Sequence, residues 1–159
     1  MGDEERKTGE VSVLEGRDAY LAENGFSIDA YTAPTFTVEI FGKALTFPNR
    51  PSRQRVVPLH DLHHVATGYD TDLVGEAEIG AWELVAGCNT PFLVAINATA
   101  AVLGMLLAPR RVIRAALAAR GQRTLYVKET PYEELLSLPV TELRERLGVP
   151  TGGVVNATR

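Results

Sequence analysis

"PLHDLHHVATGYDTDLVGE", residues 58–76, is the most informative stretch of the sequence, because its pattern predicts a helix, a turn and the start of a second helix. Pro58 suits the first turn of a helix, where its missing N–H is not needed. Gly68 is a natural C-terminal stop, and Asp72 is suited to cap the next helix. That second helix is predicted to end near Gly87. The stretch therefore predicts two helices that fold back on each other around a short turn.

The remaining chain extends the helical pattern. Thr90 and Pro91 predict the start of an apolar helix that ends before Pro109, and an amphipathic helix follows as far as Gly121. Two short helices are predicted within 130–150, with Thr141 as a candidate cap for the second. Another short helix is predicted before Gly25.

Alternating apolar residues around a glycine predict a small β-hairpin near the N-terminus, with an irregular extended arm as the alternative. They are Val38, Ile40, Leu45 and Phe47, on either side of Gly42. The overall prediction is a mainly α protein, a single compact multi-helix domain at 13–150 with this N-terminal hairpin or arm. A disordered acidic tail is predicted at 1–12 and a flexible tail at 151–159.

Composition narrows the functional classes. The net charge of −4 argues against a general nucleic-acid binder, which usually carries a basic surface. The single cysteine, Cys88, cannot form an internal disulfide, so a reducing compartment and a buried small side chain are expected. The polar, acidic start does not read as a secretory signal.

The apolar stretch "PFLVAINATAAVLGMLLA", residues 91–108, has three interpretations. A buried central helix is the leading one, and a lipid-facing groove or surface helix is the second. A membrane span is the third and is disfavoured, because spans need about 20 predominantly apolar residues and this run falls a little short. Four arginines follow in the next helix, either as a solvated face or as a surface for anionic lipid or phosphate: Arg110, Arg111, Arg114 and Arg120.

All three histidines of the chain lie between His60 and His64. His60 and His64 are four residues apart and therefore share one face of a helix, so their imidazoles can point at one ion. Asp61 can reach the same ion from the edge of that face or orient a ligand. Glu76, one turn into the following helix, can complete the set. His63 is predicted to flank the site as a polar residue at the helix surface.

This set of side chains suggests a metal site, although helix surfaces near turns also carry histidine and aspartate without one. Imidazole mixed with carboxylate suits zinc, iron, manganese or cobalt, and is too rich in nitrogen for magnesium alone. Glu78 is a rival for Glu76 but should face elsewhere. The zinc-peptidase HExxH pattern, a serine nucleophile elbow and a phosphate-binding glycine loop do not occur.

The ligand pattern has a family resemblance. His60-Asp61-x-x-His64, followed after eleven residues by Glu76, is similar to the metal-ligand signature of a coenzyme Q (ubiquinone) biosynthesis family, the fourth in the COQ gene series. "HVATGYDTDLVGE" resembles that family's turn, and "AWELVAG" and "LLSLPVTELRERLGVP" are also similar. The resemblance covers roughly 50–150. The short chain and its hairpin-like arm depart from the longer helical N-terminal region expected of the family.

The resemblance implies a helical protein with a divalent metal, usually zinc, held by His60, Asp61, His64 and Glu76 as the catalytic residues. It also implies a prenylated lipid bound between helices, peripheral membrane contact and association with other biosynthetic enzymes. The stretch from Phe92 to Leu107 would be a wall for the isoprenoid tail. Its candidate lipid-binding side chains are Phe92, Ile96, Val102 and Met105.

Three functions follow as expectations. The first is a metal-dependent enzyme that acts on an aromatic quinone precursor, by oxidative decarboxylation of the ring. The second is a non-enzymatic lipid-binding organiser of a biosynthetic complex, and the third is an enzyme of a specialised-metabolite pathway that reuses the fold. The acidic start, unlike an Arg-rich mitochondrial leader, predicts a bacterial, cytoplasmic protein that can lie against the inner face of the membrane. A homo-oligomer is also expected.

Overall fold

The computed structural model describes residues 10–40, 42–127 and 130–157. Within these ranges the chain is mostly helical, with one two-stranded antiparallel sheet near the N-terminus. The mainly α prediction with a small hairpin is therefore confirmed. The helices of the described part are α1 Val13–Glu23, α2 Pro51–Thr67, α3 Leu73–Ala86, α4 Pro91–Leu107, α5 Pro109–Ala118, α6 Tyr132–Leu136, α7 Val140–Leu147 and α8 Val154–Ala157.

The hairpin pairs β1 (Thr35–Ile40) with β2 (Lys43–Pro48), and Ile40 lies opposite Lys43. The two-residue loop requires a positive φ at Gly42, which is +73°. A single 3-10 turn, Ile28–Tyr31, precedes the hairpin and brings Tyr31 against α2.

The N-terminal end of α1 is more ordered than the predicted tail. The Ser12 hydroxyl accepts from the Glu15 N–H, and the Glu15 carboxylate accepts from the Ser12 N–H. The backbone around Ser12 also bonds to the segment between α6 and α7, through Val13 and Val140. The tail predicted at 1–12 thus includes Ser12, which caps α1, and its part at 1–9 lies outside the described residues.

Helix α2 begins at Pro51 rather than at the predicted Pro58. Pro51 takes the first-turn position, and the polar residues after it continue the helix. Pro58 lies inside the helix, where its missing N–H removes one backbone hydrogen bond. Gly68 ends the helix as predicted, with a φ of +82° and its N–H donating to the His64 carbonyl.

Two C-terminal predictions also need correction. Thr141 does not cap α7, because Pro139 is the cap residue and the Thr141 hydroxyl bonds to Glu10. The predicted flexible tail contains α8, and Val154 is buried in the main hydrophobic core. This core lies between α1, α2, α3 and the C-terminal helices. Its largest fully buried members are Leu62, Ile79, Trp82, Leu135, Leu143 and Leu147.

The turn between α2 and α3 is fixed at both ends. The Asp72 carboxylate accepts from the Gly75 N–H at 2.6 Å, so the predicted N-cap is confirmed. A Cβ at Gly75 would lie 2.1 Å from the Asp70 carbonyl oxygen. Only glycine lets the turn pack this closely on the first turn of α3, which carries Glu76.

Gly75→Ala is expected to lower the free energy of unfolding by about 2 kcal/mol, because the turn backbone must move away from the new methyl group. Thermal unfolding followed by circular dichroism measures the change. Gly152→Ala is the matched control, since a Cβ there meets only Asn156 at an ordinary 3.7 Å. Equal melting temperatures for the two variants would contradict the close packing of the turn.

Candidate metal centre

Three side chains from α2 and α3 converge where the chain reverses direction. His60 and His64 lie one turn apart on α2, and Glu76 lies in the first turn of α3. One ligand atom from each lies within 4.8 Å of the others. The group fulfils the prediction that Glu76 turns a helical histidine pair into a possible coordination site.

The hydrogen bonds on the far sides of the two imidazoles fix their tautomers. The His64 Nδ1 lies 2.9 Å from the Tyr69 carbonyl oxygen, and the His60 Nδ1 lies 2.8 Å from Glu83 Oε1. Both partners are acceptors, so each Nδ1 carries a proton and donates it. When its Nε2 carries no proton, each imidazole presents an Nε2 lone pair to the other side.

Those two Nε2 atoms face each other at 3.2 Å. The Glu76 carboxylate oxygens lie 3.4 Å from His60 Nε2 and 3.3 Å from His64 Nε2. Two lone pairs and a carboxylate at this spacing repel one another unless a proton or a metal ion lies between them. The donor set is therefore matched to a positive ion, with imidazole nitrogen and carboxylate oxygen as ligands.

The electrostatics of the metal-free group support the same conclusion. Burial opposes ionisation of Glu76, but the adjacent His60 and His64 outweigh it and lower the pKa of Glu76 to about 2. Burial also disfavours the charged form of His60, but Glu83 and Glu76 raise its pKa well above the ordinary value. In the absence of a metal, a proton on His60 supplies the positive charge that the carboxylates favour.

The group has an open side. The side chain of Glu76 is 41% exposed and that of His60 is 23% exposed, whereas His64 is buried. Closed structural zinc sites usually contain cysteine and four protein ligands, while catalytic sites keep a position for water or substrate. A metal ion held by these three side chains would keep a solvent-facing position, as in the second arrangement.

Asp61 lies beside the three-residue group and is not a member of it. Its buried carboxylate accepts from the Tyr31 hydroxyl at 2.5 Å and from the Tyr20 hydroxyl at 3.4 Å, so its oxygens are not part of the three-residue group. The Tyr20 ring stacks on His64 with centroids 5.3 Å apart. Asp61 therefore supports His64 through Tyr20, which is closer to the orienting role considered for it than to direct ligation.

His63 is not the surface residue that the sequence predicted. Its side chain is fully buried against Trp82 and Tyr126. Its Nε2 accepts from the Leu125 N–H at 2.9 Å, and its Nδ1 donates to Glu83 at 2.6 Å. Burial is the largest influence on the pKa of His63 and lowers it, so this imidazole is neutral.

Glu83 is the residue that the sequence reasoning missed. It is completely buried on α3, yet burial is outweighed by His60 and His63, which hold the pKa of Glu83 well below its ordinary value. A spacing of seven residues from Glu76 puts both carboxylates on one face of α3. A glutamate on the ligand face inside the apolar run "IGAWELVAG" is the signal that could have revealed it.

The other residues considered at this end of the protein have structural partners. Glu78, which was considered as a rival for Glu76, faces away from the histidines as predicted. Its carboxylate accepts two hydrogen bonds from the Arg111 guanidinium, at 2.6 and 3.0 Å. Cys88 is partly buried beside Asn97, and burial raises the pKa of its thiol.

Helix α4 is not the buried central helix that was the leading interpretation. It packs on α3 and α5 through an inner side that includes Leu93, Asn97 and Gly104. Its outer side is open, and the exposed fractions of the predicted lipid-binding residues range from 40% to 62%: Phe92, Ile96, Val102 and Met105. An all-apolar helix usually indicates burial, but here apolar character continues around to a solvent-facing side.

The predicted lipid-binding residues lie on the exposed side of α4, whereas a side chain on its inner side contacts Glu83. Asn97, on the inner side of α4, donates from Nδ2 to Glu83 Oε2 at 2.7 Å. Among the described residues, none of the helices combines the length and apolar character needed to cross a bilayer.

One surface cavity lies next to the three-residue group but borders only one of its members. It has a volume of about 660 Å³ and lies between α1, α7 and the end of α2. His64 contributes to its wall, but His60 and Glu76 do not. The cavity therefore adjoins His64 and not the other two residues of the group.

A scan of known protein families and a search of curated proteins both gave no match for this chain. The resemblance to the coenzyme Q biosynthesis family thus depends on the residues of roughly 50–150 and their spacing. At three of the four residues of that ligand pattern, the structure brings together side chains that could hold a metal ion.

Proposed function

We propose that this protein holds a divalent metal ion, zinc in the first instance, at His60, His64 and Glu76, and is a metal-dependent enzyme of the decarboxylase type. The observation that carries the proposal is the convergence of two Nε2 lone pairs and a carboxylate, with both histidine tautomers fixed from behind. Iron, manganese and cobalt fit the same ligand types.

The bound ion would act as a Lewis acid that stabilises negative charge on a carboxylate or phenolate oxygen of an aromatic substrate. Neighbouring residues of the protein fix the orientation of the two imidazoles. Tyr69 and Glu83 hold the imidazoles in place, and Tyr20 covers one face of His64. The exposed edge at Glu76 leaves room for the substrate oxygen.

The substrate class follows from the family resemblance and from this donor set. An aromatic acid, with or without a prenyl chain, offers the carboxylate and phenolate oxygens that such an ion prefers. Loss of CO₂ alone requires only a proton in its place. Replacement of the ring carboxylate by hydroxyl is an oxidation, and it requires an external oxidant such as dioxygen.

The first test is the metal content of protein purified without chelators, followed by zinc titration of the metal-free form. One zinc per chain is expected. Glu76→Gln should weaken zinc binding by at least about 100-fold, more than the loss of a residue outside the ligand shell, because it removes a charged ligand. Glu78→Gln is the matched control on the same helix, and its zinc affinity should equal that of the wild type. A wild-type protein that binds no stoichiometric divalent metal would refute the proposal.

A second candidate function, the lipid-binding organiser, is favoured by the open face of α4 and α5. We define the α4–α5 face as the solvent-exposed apolar side chains of these helices: Phe92, Val94, Ile96, Val102, Leu103, Met105, Leu106, Leu107, Ile113 and Leu117. Single exposed apolar residues are common, but larger exposed apolar patches often mark interaction surfaces. Exposed Arg110, Arg114 and Arg120 add positive charge, which suits an anionic membrane or lipid.

Binding of the protein to vesicles of phosphatidylglycerol is the measurement for this second function. Leu106→Asp is expected to reduce vesicle co-sedimentation at least fivefold, since a carboxylate at the most exposed position of the face opposes both burial and anionic lipid. Leu73→Asp, at an exposed position on α3, is the control and should leave binding unchanged. If wild-type protein stays in solution and instead self-associates, the face is an interface of the predicted homo-oligomer.

A further inference from the structure

We propose that Glu83 is a positioning residue for the metal centre, which fixes the tautomer and orientation of His60 and strengthens its Nε2 as a ligand. The inference rests on the proposed metal-dependent function and deepens it. It assigns a role to a buried carboxylate that lies outside the ligand motif.

The contacts of Glu83 explain why it cannot turn away from His60. Its Oε1 accepts from His60 Nδ1 at 2.8 Å, from His63 Nδ1 at 2.6 Å and from the Tyr126 hydroxyl at 3.0 Å. Its Oε2 accepts from Asn97 Nδ2 at 2.7 Å. The donors come from α2, α4 and the segment after α5, so several elements of the fold hold one carboxylate.

His63 holds the Glu83 carboxylate in place. The Leu125 N–H occupies its Nε2, which leaves the proton on Nδ1 and directs it to Glu83. Because that tautomer is set by the backbone, His63 always acts as a donor to Glu83. His63 therefore ties the carboxylate to the backbone of the segment after α5.

Charge, and not only hydrogen bonding, distinguishes Glu83 from a neutral acceptor. A buried carboxylate is costly and is retained only with strong compensation. A cation on His60 Nε2 would draw electron density through the ring, and the carboxylate at Nδ1 would stabilise the positive charge that results. Carboxylate–histidine–metal arrangements raise ligand basicity in this way, and their loss costs about 10- to 100-fold in metal affinity.

His64 provides an internal comparison, because its Nδ1 donates to a neutral carbonyl, that of Tyr69. The two ligand imidazoles therefore have the same tautomer but different partners. The structure assigns the stronger orienting charge to His60, the more exposed of the two ligands.

The experiment compares zinc affinities of Glu83→Gln and Glu78→Gln, measured by competition with a chromophoric chelator. Glutamine keeps the volume and the Oε1 acceptor, and a flipped Asn97 amide can accept from its new Nε2 donor. Glu78 is a fair control because it is also buried on α3 and also bonded, but to Arg111. Both variants are expected to lower the melting temperature. Glu83→Gln alone should raise the zinc Kd about 10- to 100-fold.

The outcomes separate the inference from the proposed function. Stoichiometric zinc in the wild type with an unchanged Kd in Glu83→Gln would overturn the positioning role while leaving the metal centre intact. A wild type that binds no metal would overturn both.

A measurement on the wild type keeps the test decisive even if Glu83→Gln does not fold. Long-range ¹H–¹⁵N NMR of the zinc-loaded protein is simple to assign because the chain has three histidines. It should show His60 bound through Nε2 with a protonated, strongly hydrogen-bonded Nδ1. Zinc on Nδ1, or an Nδ1 without a proton, would overturn the role of Glu83.

Discussion

Replacing His64 with alanine is expected to abolish tight zinc binding. The affinity should fall by more than about 100-fold, which exceeds the usual effect of changing a residue outside the ligand shell. The His64 Nε2 lies close to both other ligands, at 3.2 Å from His60 Nε2 and 3.3 Å from Glu76. Its removal leaves one imidazole and one half-exposed carboxylate, which do not surround an ion. Zinc titration in the presence of a competing chelator measures the effect.

The His64→Ala result needs a control for folding, because this imidazole is buried and stacks on Tyr20. Far-ultraviolet circular dichroism should show unchanged helix content. Tyr20→Leu removes the same stacking contact without removing a ligand. Its zinc Kd should stay within about tenfold of the wild-type value, because about tenfold is the smallest effect usual for residues outside the ligand shell. Retention of one tightly bound zinc in a folded His64→Ala protein would show that the ligands lie elsewhere.

Replacing His63 with alanine is expected to lower the free energy of unfolding of the metal-free protein by about 3–4 kcal/mol. The change leaves the Leu125 N–H without its acceptor and removes a donor from buried Glu83. It also opens space beside Trp82 and Tyr126. Urea unfolding in the presence of a chelator measures this loss without any contribution from bound metal.

The control for His63 is an exposed position on the adjacent helix. Leu73→Ala, at the start of α3, should change the free energy of unfolding by no more than about 0.5 kcal/mol. A loss below about 1 kcal/mol in His63→Ala, similar to ordinary surface substitutions, would mean that His63 lies at the helix surface after all.

The local features of the fold were predictable because short-range chemistry determines them. Asp72 and Gly68 mark helix ends through hydrogen bonds and a left-handed backbone that involve only neighbouring residues. The four-residue spacing of His60 and His64 places them on one face whatever the tertiary structure. The short turn after Gly68 then brings Glu76 back to that face.

The remaining features depend on how distant elements pack. His63 is buried because the segment after α5 supplies the Leu125 N–H, which is 62 residues away along the chain. Glu83 gains its role from Asn97 and Tyr126, whose positions the local sequence pattern does not reveal. One side of α4 is exposed because too few helices pack around it to cover it. The sequence of an almost wholly apolar helix does not reveal how many neighbouring helices will cover it.

Anomalous X-ray diffraction at the zinc absorption edge, on crystals of the zinc-loaded protein, would locate the ion relative to His60, His64 and Glu76. We expect one strong peak per chain, at bonding distances of about 2.0–2.2 Å from His60 Nε2, His64 Nε2 and a Glu76 oxygen. Glu83 should lie behind His60 without touching the ion. A peak ligated by His63 or Asp61 in place of His64, or no peak between α2 and α3, would contradict the account.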